Sequence, residues 1–445
     1  MNTPILDFVK KYATGDISRF HMPGHKGKDF IGCERLDITE ICGADVLYSP
    51  DGIIAESEDN ATRLFGSGHT FYSAEGSSLC IKAMLYLASM GARNGKKRPT
   101  VLASRNAHKS FIYACALLDL DVKWLYPEEK KHLCSCNISA REVEDAISDD
   151  IFAVYVTSPD YLGSIADISG ISSVCKRKGI PLLVDNAHGA YLGFLSPSLH
   201  PIALGADMCC DSAHKTLPVL TGGAYLHVSS SADSFYISEA RSALSLFAST
   251  SPSYLILQSL DRCNAYLSDG YRDRLSECIK HINEIKAFIS KTGFYVERSE
   301  PLKITVNAAR SGYTGDELSD ILRSNRIECE FSDDSLLVLM ITPENRDKDL
   351  KRLKDVFSML TPKPAIIYDG GLFPEEAESA MTVREAVLAR SETVSVNDAV
   401  GRICASPTVS CPPAIPIVVS GERISPEAVE LFKRYKIEKI KVVST

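Results

Sequence analysis

A lysine and an aspartate that each follow a short apolar run are the residues of this chain best suited to chemistry. Lys215 lies in the segment 207–223, among small and polar residues and ahead of a glycine pair. Roughly thirty residues upstream, an apolar run typical of a buried strand ends at Asp185. A lysine amine that forms a Schiff base and a carboxylate that faces a pyridine nitrogen are what pyridoxal phosphate chemistry requires. The pair predicts a site for pyridoxal 5'-phosphate.

Both residues also have an ordinary interpretation. Most lysines are solvated surface residues, and an aspartate after a strand often caps the next turn or helix. Lys215, however, does not lie in a charged stretch. A carboxylate at the position of Asp185 would keep the cofactor ring protonated through a charge-assisted hydrogen bond. Breaking a buried charged pair costs about 3–5 kcal/mol. Because the two residues occur together, the cofactor interpretation is favoured.

A phosphate site is predicted at the start of the first well-defined helix, expected over 77–90. Ser77 and Ser78 follow Gly76 there. Backbone N–H groups, serine hydroxyls and the helix dipole all favour a dianion at such a position. A Gly-Ser-Ser triplet alone often serves only as a helix cap. Ser212 and His214, from the lysine segment, are expected to complete the phosphate site.

Two histidines are further candidates. His108 follows a predicted strand at 100–103, where its imidazole would stack on the cofactor ring or move a proton. The alternative for His108 is a hydrogen-bonded loop histidine. His188 lies three residues after Asp185 and would orient that acid. An ordinary turn histidine is an equally good interpretation of His188.

The elements that would position these residues alternate between helices and apolar runs from about 55 to 260, which predicts an α/β domain with a mainly parallel sheet. Ligands of such sheets bind beyond the carboxyl ends of the strands, where Ser158, Asp185 and the segment 212–215 lie. A smaller α+β domain and a last segment follow. Their predicted elements are helices at 254–267, 279–289, 316–324 and 374–390, and strands at 303–306, 335–340 and 417–419.

These patterns predict four parts: an N-terminal arm (1–45) that is rich in turns at 21–27, a large cofactor-binding domain (46–260), a small α+β domain (261–362) and a C-terminal domain (363–445). The net charge of -8 over 445 residues disfavours nucleic acid as the main partner. The fourteen cysteines lack zinc-site spacing, so we expect reduced thiols and no metal. Without a signal peptide or an apolar run of about 18 residues, we expect a cytoplasmic protein with no membrane contact.

The order of motifs resembles that of the bacterial Orn/Lys/Arg decarboxylase family, whose members have a PLP-dependent, aspartate-aminotransferase-like fold. The resemblance is to the compact form, without an N-terminal receiver-like domain, and covers nearly the whole chain. The motifs that carry it are HMPGHKG (21–27), RNAHKS (105–110), VDNAHG (184–189), SAHKTL (212–217), TSPSY (250–254), GRI (401–403), PPAIP (412–416) and GE (421–422).

The resemblance implies a role for each candidate. Lys215 would be the Schiff-base lysine, Asp185 the partner of the ring nitrogen and His108 the stacking residue. Around the phosphate it would place Ser77, Ser78, Ser212 and His214. Thr250 and Ser251 would lie near a dimer interface, which implies a homodimer or a higher homo-oligomer.

The implied activity is decarboxylation of a basic L-amino acid to its amine and CO₂, with arginine first, then lysine or ornithine. His108 or Lys215 would reprotonate the substrate carbon. A polyamine-biosynthetic role and an acid-stress role are both open. An aminotransferase, another PLP-dependent lyase and an inactive regulatory homologue remain alternatives.

The chain departs from the family pattern at five positions. Many relatives have glutamate at the position of Asn186 and glutamine at the position of Gly222. Ser406, Cys411 and Ala414 occupy positions where relatives often have Glu, Tyr and Gly. The cofactor residues match, so these departures concern the choice of substrate.

Overall fold

The computed structural model describes residues 1–90, 92, 98–130, 132–368, 373–409 and 414–444. The chain divides into two compact units. The first unit comprises Met1–Pro99, Ser148–Ser158 and Ile168–Asp273. The second unit comprises Thr100–Ile147, Pro159–Asp167 and Arg274–Thr445. The four-part division expected from the sequence stays a prediction.

Helices occur throughout both units, and no helix in the described ranges is long and apolar enough to cross a membrane. The α-helices are α1 (Pro4–Thr14), α2 (Ile53–Phe65), α3 (Gly76–Ser89), α4 (Lys109–Leu118), α5 (Ala140–Ala146), α6 (Ile168–Lys178), α7 (Ala213–Thr216), α8 (Ser234–Phe247), α9 (Tyr254–Ser268), α10 (Tyr271–Lys291), α11 (Gly315–Ser324), α12 (Asp347–Met359), α13 (Val383–Leu388) and α14 (Pro426–Arg434).

The strands are short, and those nearest the candidate residues are fully buried. They are β1 (His69–Ser73), β2 (Thr100–Ser104), β3 (Asp121–Leu125), β4 (Ile151–Thr157), β5 (Leu182–Asp185), β6 (Met208–Asp211), β7 (Ala224–Val228), β8 (Tyr295–Glu297), β9 (Lys303–Asn307), β10 (Phe331–Ser332), β11 (Leu336–Met340), β12 (Ser391–Ser395), β13 (Thr408–Val409), β14 (Pro416–Val418) and β15 (Lys439–Val443).

The sheet of the first unit positions the candidate residues. Its strands follow the order β1–β7–β6–β5–β4, with β4, β5 and β6 parallel. Every residue of β5, β6 and β7 is buried, which explains their continuous apolar sequences. In the parallel pairing of β5 with β6, Asp185 lies opposite Cys210. The segments that follow these two strands therefore leave the sheet at the same edge.

The second unit contains the parallel pair β2–β3 and an antiparallel sheet in the order β10–β11–β9–β8. Two antiparallel pairs, β12–β15 and β13–β14, follow. Side chains such as Phe331, Val338, Ile417 and Phe432 form a common core. The mainly parallel sheet with its helices confirms the predicted α/β class. The separate antiparallel sheet with its helices is the predicted α+β part.

The prediction of a helix over 374–390 was wrong for its first half. The helix α13 begins only at Val383, where Thr382 and Glu385 form a reciprocal cap. Upstream, the amides of Ala380 and Met381 both donate to the Gly421 carbonyl, so they are not available to a helix. The predicted strand at 417–419 is present as β14, and residues 410–413 of the C-terminal motif lie outside the described residues.

The N-terminal arm has the expected turns at 21–27, but it begins with a helix that the sequence did not predict. In α1, Ile5 and Val9 are completely buried. Thr3 makes no side-chain cap, so the first amides of α1 need another acceptor. Asp261 of α9 fills this need, since its Oδ2 accepts from the Leu6 amide at 2.9 Å. Ser57 donates to the other oxygen at 2.6 Å.

The buried carboxyl of Asp261 should make the free energy of unfolding depend on pH. Burial raises its pKa from 3.8 to about 6, against the hydrogen bonds that lower it. The folded state therefore binds this proton more tightly than the unfolded state. The stabilisation is complete below pH 3.8 and is lost as the pH rises through about 6, a change of about 3 kcal/mol.

We expect Asp261→Asn to flatten the pH dependence of the free energy of unfolding between pH 4 and 7, measured by urea denaturation. Asp59→Asn, on the exposed side of α2, removes the same charge and should keep the wild-type slope. An unchanged slope in the Asp261 variant would show that another group causes the dependence.

Candidate active site

Lys215 follows β6 in the short helix α7, and its amine contacts a histidine. Its backbone amide donates to the Ser212 carbonyl at 3.0 Å, which sets the direction of the turn. The Nζ atom lies 3.0 Å from Nε2 of His188. The side chain is half-buried, whereas most lysines are exposed. The structure thus brings together two residues that the sequence placed 27 positions apart.

Asp185 ends β5 as a buried carboxylate, with 2% of its surface exposed. Its Oδ2 accepts from the Tyr155 hydroxyl at 3.1 Å. Its Oδ1 accepts from the Ala187 amide at 3.1 Å and from Cys210 Sγ at 3.8 Å. A buried carboxylate with several donors is held in one orientation, as a partner for a ring nitrogen must be.

Two of the residues predicted to bind the phosphate, Ser77 and Ser212, contact each other, and their role stays a prediction. Ser77 lies in the first turn of α3, and the Ser212 hydroxyl donates to its oxygen at 2.7 Å. Gly76 has φ +70° and donates its amide to the Gly222 carbonyl at 2.7 Å. Two hydroxyls from separate segments therefore meet at the N-terminus of a fourteen-residue helix. Ser78 lies in the same first turn.

His214 is held by the loop that follows the lysine helix. Its Nδ1 donates to the Gly223 carbonyl at 3.0 Å. Burial lowers the pKa of His214, and the nearby Lys215 charge lowers it further, while the bond to Gly223 acts in the opposite direction. A neutral ring beside the phosphate would contribute hydrogen bonding, not charge. Its place in the phosphate site stays a prediction.

His108 belongs to the second unit, as the N-cap of α4. Its Nδ1 accepts from the Ser110 amide at 3.2 Å and lies 2.9 Å from the Ser110 hydroxyl. Stacking on a cofactor ring and proton transfer by His108 stay predictions. Thr250 and Ser251 are exposed between α8 and α9, and their place at a dimer interface also stays a prediction.

The sequence did not reveal two sets of residues near Asp185. Tyr155 was counted as one more apolar member of β4, although its hydroxyl bonds to Asp185. A buried cluster of Asp211, His200 and His227 was also missed. The one signal for the cluster was a histidine inside the apolar strand β7.

The side chains gathered in the first unit have the functional groups that would bind pyridoxal phosphate. A half-buried amine, a buried carboxylate and paired hydroxyls at a helix N-terminus are the groups that its aldehyde, ring nitrogen and phosphate need. Of the described residues, His200, Cys209 and Asp211 have donor atoms within 4.8 Å of one another, as metal ligands would. Their hydrogen bonds also account for that spacing. All thirteen cysteines in the described ranges are free thiols.

Comparison with known families matches two family models to this chain. The model described as "Orn/Lys/Arg decarboxylase, major domain" matches residues 3–307. The model described as "Orn/Lys/Arg decarboxylase, C-terminal domain" matches residues 369–437. Together they include all the candidate residues. The match to the first model alone covers more than half of the chain.

Curated relatives match over nearly the full length. An arginine decarboxylase of Bacillus subtilis is 31% identical, with 97% of this chain and 93% of the relative covered. An arginine decarboxylase of Halalkalibacterium halodurans is 30% identical, with 95% and 91% covered.

Solved structures share the fold at low sequence identity. The lysine decarboxylase LdcF of Francisella novicida has a TM-score of 0.80 at 16% identity, with 99% of this chain and 81% of that chain covered. The constitutive lysine decarboxylase of Escherichia coli has a TM-score of 0.79 at 16% identity, with 100% and 82% covered. These structures confirm the aspartate-aminotransferase-like fold.

Ser77→Ala should weaken pyridoxal phosphate binding and leave pyridoxal binding unchanged, because pyridoxal has no phosphate. Loss of one hydrogen bond to a charged group predicts an increase in Kd of about 10- to 100-fold. Kd is measured by absorbance titration of the apoprotein. Ser89→Ala, at the other end of α3, is the control, since the Ser89 hydroxyl donates to the Tyr86 carbonyl of the same helix. Equal weakening for both ligands would contradict the phosphate assignment.

Proposed function

The chain belongs to the Orn/Lys/Arg decarboxylase family, and we propose on that premise that arginine is its substrate, with lysine and ornithine the next choices. Members of this family are pyridoxal-phosphate-dependent enzymes that decarboxylate basic amino acids. Nearly full-length similarity to relatives named arginine decarboxylase supports arginine. The observation that carries the chemistry is the contact of Lys215 with His188 beside the buried Asp185.

When bound, pyridoxal phosphate supplies a protonated aromatic ring that accepts the electrons of the breaking Cα–carboxylate bond. Lys215 would supply the amine that holds the cofactor. Asp185 keeps the ring nitrogen protonated, because its buried carboxylate is already oriented by Tyr155 and the Ala187 amide. His188 holds the Lys215 amine at a fixed position.

The anchoring residues decide which bond breaks. Ser77 and Ser212 would fix the phosphate, while Lys215 and Asp185 fix the other end of the cofactor. Anchoring at both ends would let these residues fix the orientation of the cofactor toward the substrate and so select the substrate bond that breaks. After CO₂ leaves, Lys215 or His108 would deliver a proton to the substrate carbon.

We expect the purified holoenzyme to convert arginine to its amine and CO₂ in a panel with lysine and ornithine, measured by CO₂ release and product mass. Lys215→Ala should lose activity by at least about three orders of magnitude, because it removes the group that holds the cofactor. Keto acid without CO₂ would instead indicate an aminotransferase. No product from any amino acid, despite bound cofactor, would indicate an inactive homologue.

We also propose that the enzyme is a homodimer whose interface includes the N-terminal arm. Phe20 is 95%, Phe30 73% and Ile31 86% exposed. The loop that presents Phe30 and Ile31 is ordered, because Glu34 accepts four of its backbone amides. Desolvation opposes these bonds, but together they lower the pKa of Glu34 to about 2. Large apolar side chains on an ordered exposed loop are typical of an interface.

The double variant Phe30→Ser with Ile31→Ser should weaken dimerisation about tenfold or more, since each buried apolar side chain contributes about 1.5–3 kcal/mol. Light scattering over a concentration series measures the dissociation. Ile367→Ser is the control, because Ile367 is 87% exposed in the second unit. A monomeric wild type, or a variant that dimerises as tightly as wild type, would contradict the proposal.

We propose a cytoplasmic enzyme that serves polyamine biosynthesis, with acid resistance as the alternative role. The C-terminal family match supports the proposed boundary near 363. The proposed arm (1–45), large domain (46–260) and small domain (261–362) precede it.

A further inference from the structure

A second buried carboxylate ends the strand that pairs with β5. Asp211, the last residue of β6, is completely buried. Its Oδ1 accepts from Asn186 Nδ2 at 2.6 Å, and its Oδ2 accepts from Nε2 of His200 and of His227, each at 3.1 Å. We call these four residues the Asp211 cluster. Its members come from four separate segments, and each has at most 1% of its surface exposed.

Asp211 is the acceptor at the centre of the cluster and is ionised at neutral pH. Burial by itself would raise the pKa of Asp211, but His200 and His227 outweigh it and hold the pKa below the usual range. Burial lowers the pKa of His227 more than the nearby Asp211 raises it, which favours the neutral ring. Since an ionised carboxylate only accepts, His227 donates from Nε2 and accepts the Thr70 hydroxyl at Nδ1, 2.8 Å away. Asp211 is thus a carboxylate held by three N–H donors.

Asn186 connects the cluster to the turn after β5. Its backbone amide donates to the Cys210 carbonyl at 3.0 Å, and its own carbonyl accepts from Gly189 at 2.7 Å. The Asn186 side chain fills the inside of this turn. A Cβ at Gly189 would lie only 2.0 Å from Asn186 Oδ1, so any larger residue at 189 would displace the Asn186 side chain. The hydrogen bond from Asn186 to Asp211 therefore fixes the turn from within.

The same turn carries Asp185 at its start and His188 near its end. His188 contacts the Lys215 amine, and Asp185 is the proposed partner of the ring nitrogen. We propose that Asp211 is a positioning residue: through Asn186 it fixes the turn 185–189, and thereby sets the geometry of His188 and Asp185 toward Lys215. This inference rests on the proposed function of Lys215 as the lysine that holds the cofactor.

The tautomers of the two histidines favour a hydrogen-bonding cluster over a metal site. Nδ1 of His200 accepts from the Ile202 amide at 3.4 Å, which leaves Nε2 as its N–H donor. A metal ligand would need that nitrogen free of its proton. Cys209 lies 4.0 Å from His200 Nε2. Burial raises the pKa of this thiol, so Cys209 is not a preformed thiolate ligand.

The test is a double-mutant cycle on Asp211→Asn and Asn186→Ala. In Asp211→Asn, the new amide N–H groups face the N–H donors of Asn186, His200 and His227. At least one of the three hydrogen bonds is therefore lost. We expect each variant to weaken pyridoxal phosphate binding about tenfold. We also expect each to move the pH midpoint of the bound cofactor's absorbance by about half a unit or more. The double variant should be no worse than the worse single variant, because both act through one bond.

The matched control is Asp261→Asn, which removes another buried carboxylate of the first unit. Asp261 bonds to the Leu6 amide of α1 and to Ser57, not to the Asp211 cluster. The control should flatten the pH dependence of stability, as described above, and leave cofactor affinity and the absorbance midpoint unchanged. If Asp211→Asn behaves like this control, Asp211 is only structural and the inference is overturned. If Asp211→Asn does not fold, Asn186→Ala with the same two measurements decides.

Two further results distinguish the inference from its premise. One equivalent of zinc in the wild type that is lost in Asp211→Asn would make Asp211 a metal ligand and overturn the inference. A wild type that binds no pyridoxal phosphate would overturn the proposed function, and the inference with it. If the wild type binds the cofactor but the effects of Asp211→Asn and Asn186→Ala on its affinity add in the double variant, the inference is overturned and the proposed function stands.

Discussion

The parallel pairing of β5 with β6 is the constraint on which the rest of the site depends. This register places Asp185 opposite Cys210, so Asn186 and Asp211 follow side by side at the end of the sheet. Parallel strands have their carboxyl ends at the same edge, where ligands of α/β sheets bind. A shift by one residue would turn each side chain of β6 to the other face of the sheet. The register thus decides which acid faces the lysine segment.

Buried polar groups in this sheet are tolerated because each carboxylate has several donors. A buried charge without partners costs far more than a buried apolar side chain gains. Asp185 accepts from Tyr155 and a backbone amide, and Asp211 accepts from an amide and two imidazoles. Two carboxylates with several donors each therefore end neighbouring strands of the sheet. A carboxylate at this edge suits a cofactor whose ring nitrogen must stay protonated.

The sequence predicted well what depends on local pattern. Continuous apolar runs located β4 and β5, and the glycine before Ser77 located the start of α3. Lys215 and Asp185 were found because their residue types follow such runs. Tyr155 and His200 were not found, since their roles depend on contacts with residues 30 and 11 positions away. The helix α1 was missed because it is short and gains its stability by burying Ile5 and Val9.

The central claim is that Lys215 forms the covalent bond to the cofactor. Reduction of the holoenzyme with borohydride fixes that bond, and mass spectrometry of the digested protein then locates the modified residue. The account predicts a pyridoxyl group on the peptide that contains Lys215 and on no other lysine. Modification of a different lysine, such as Lys109 beside His108, or no modification at all, would contradict it.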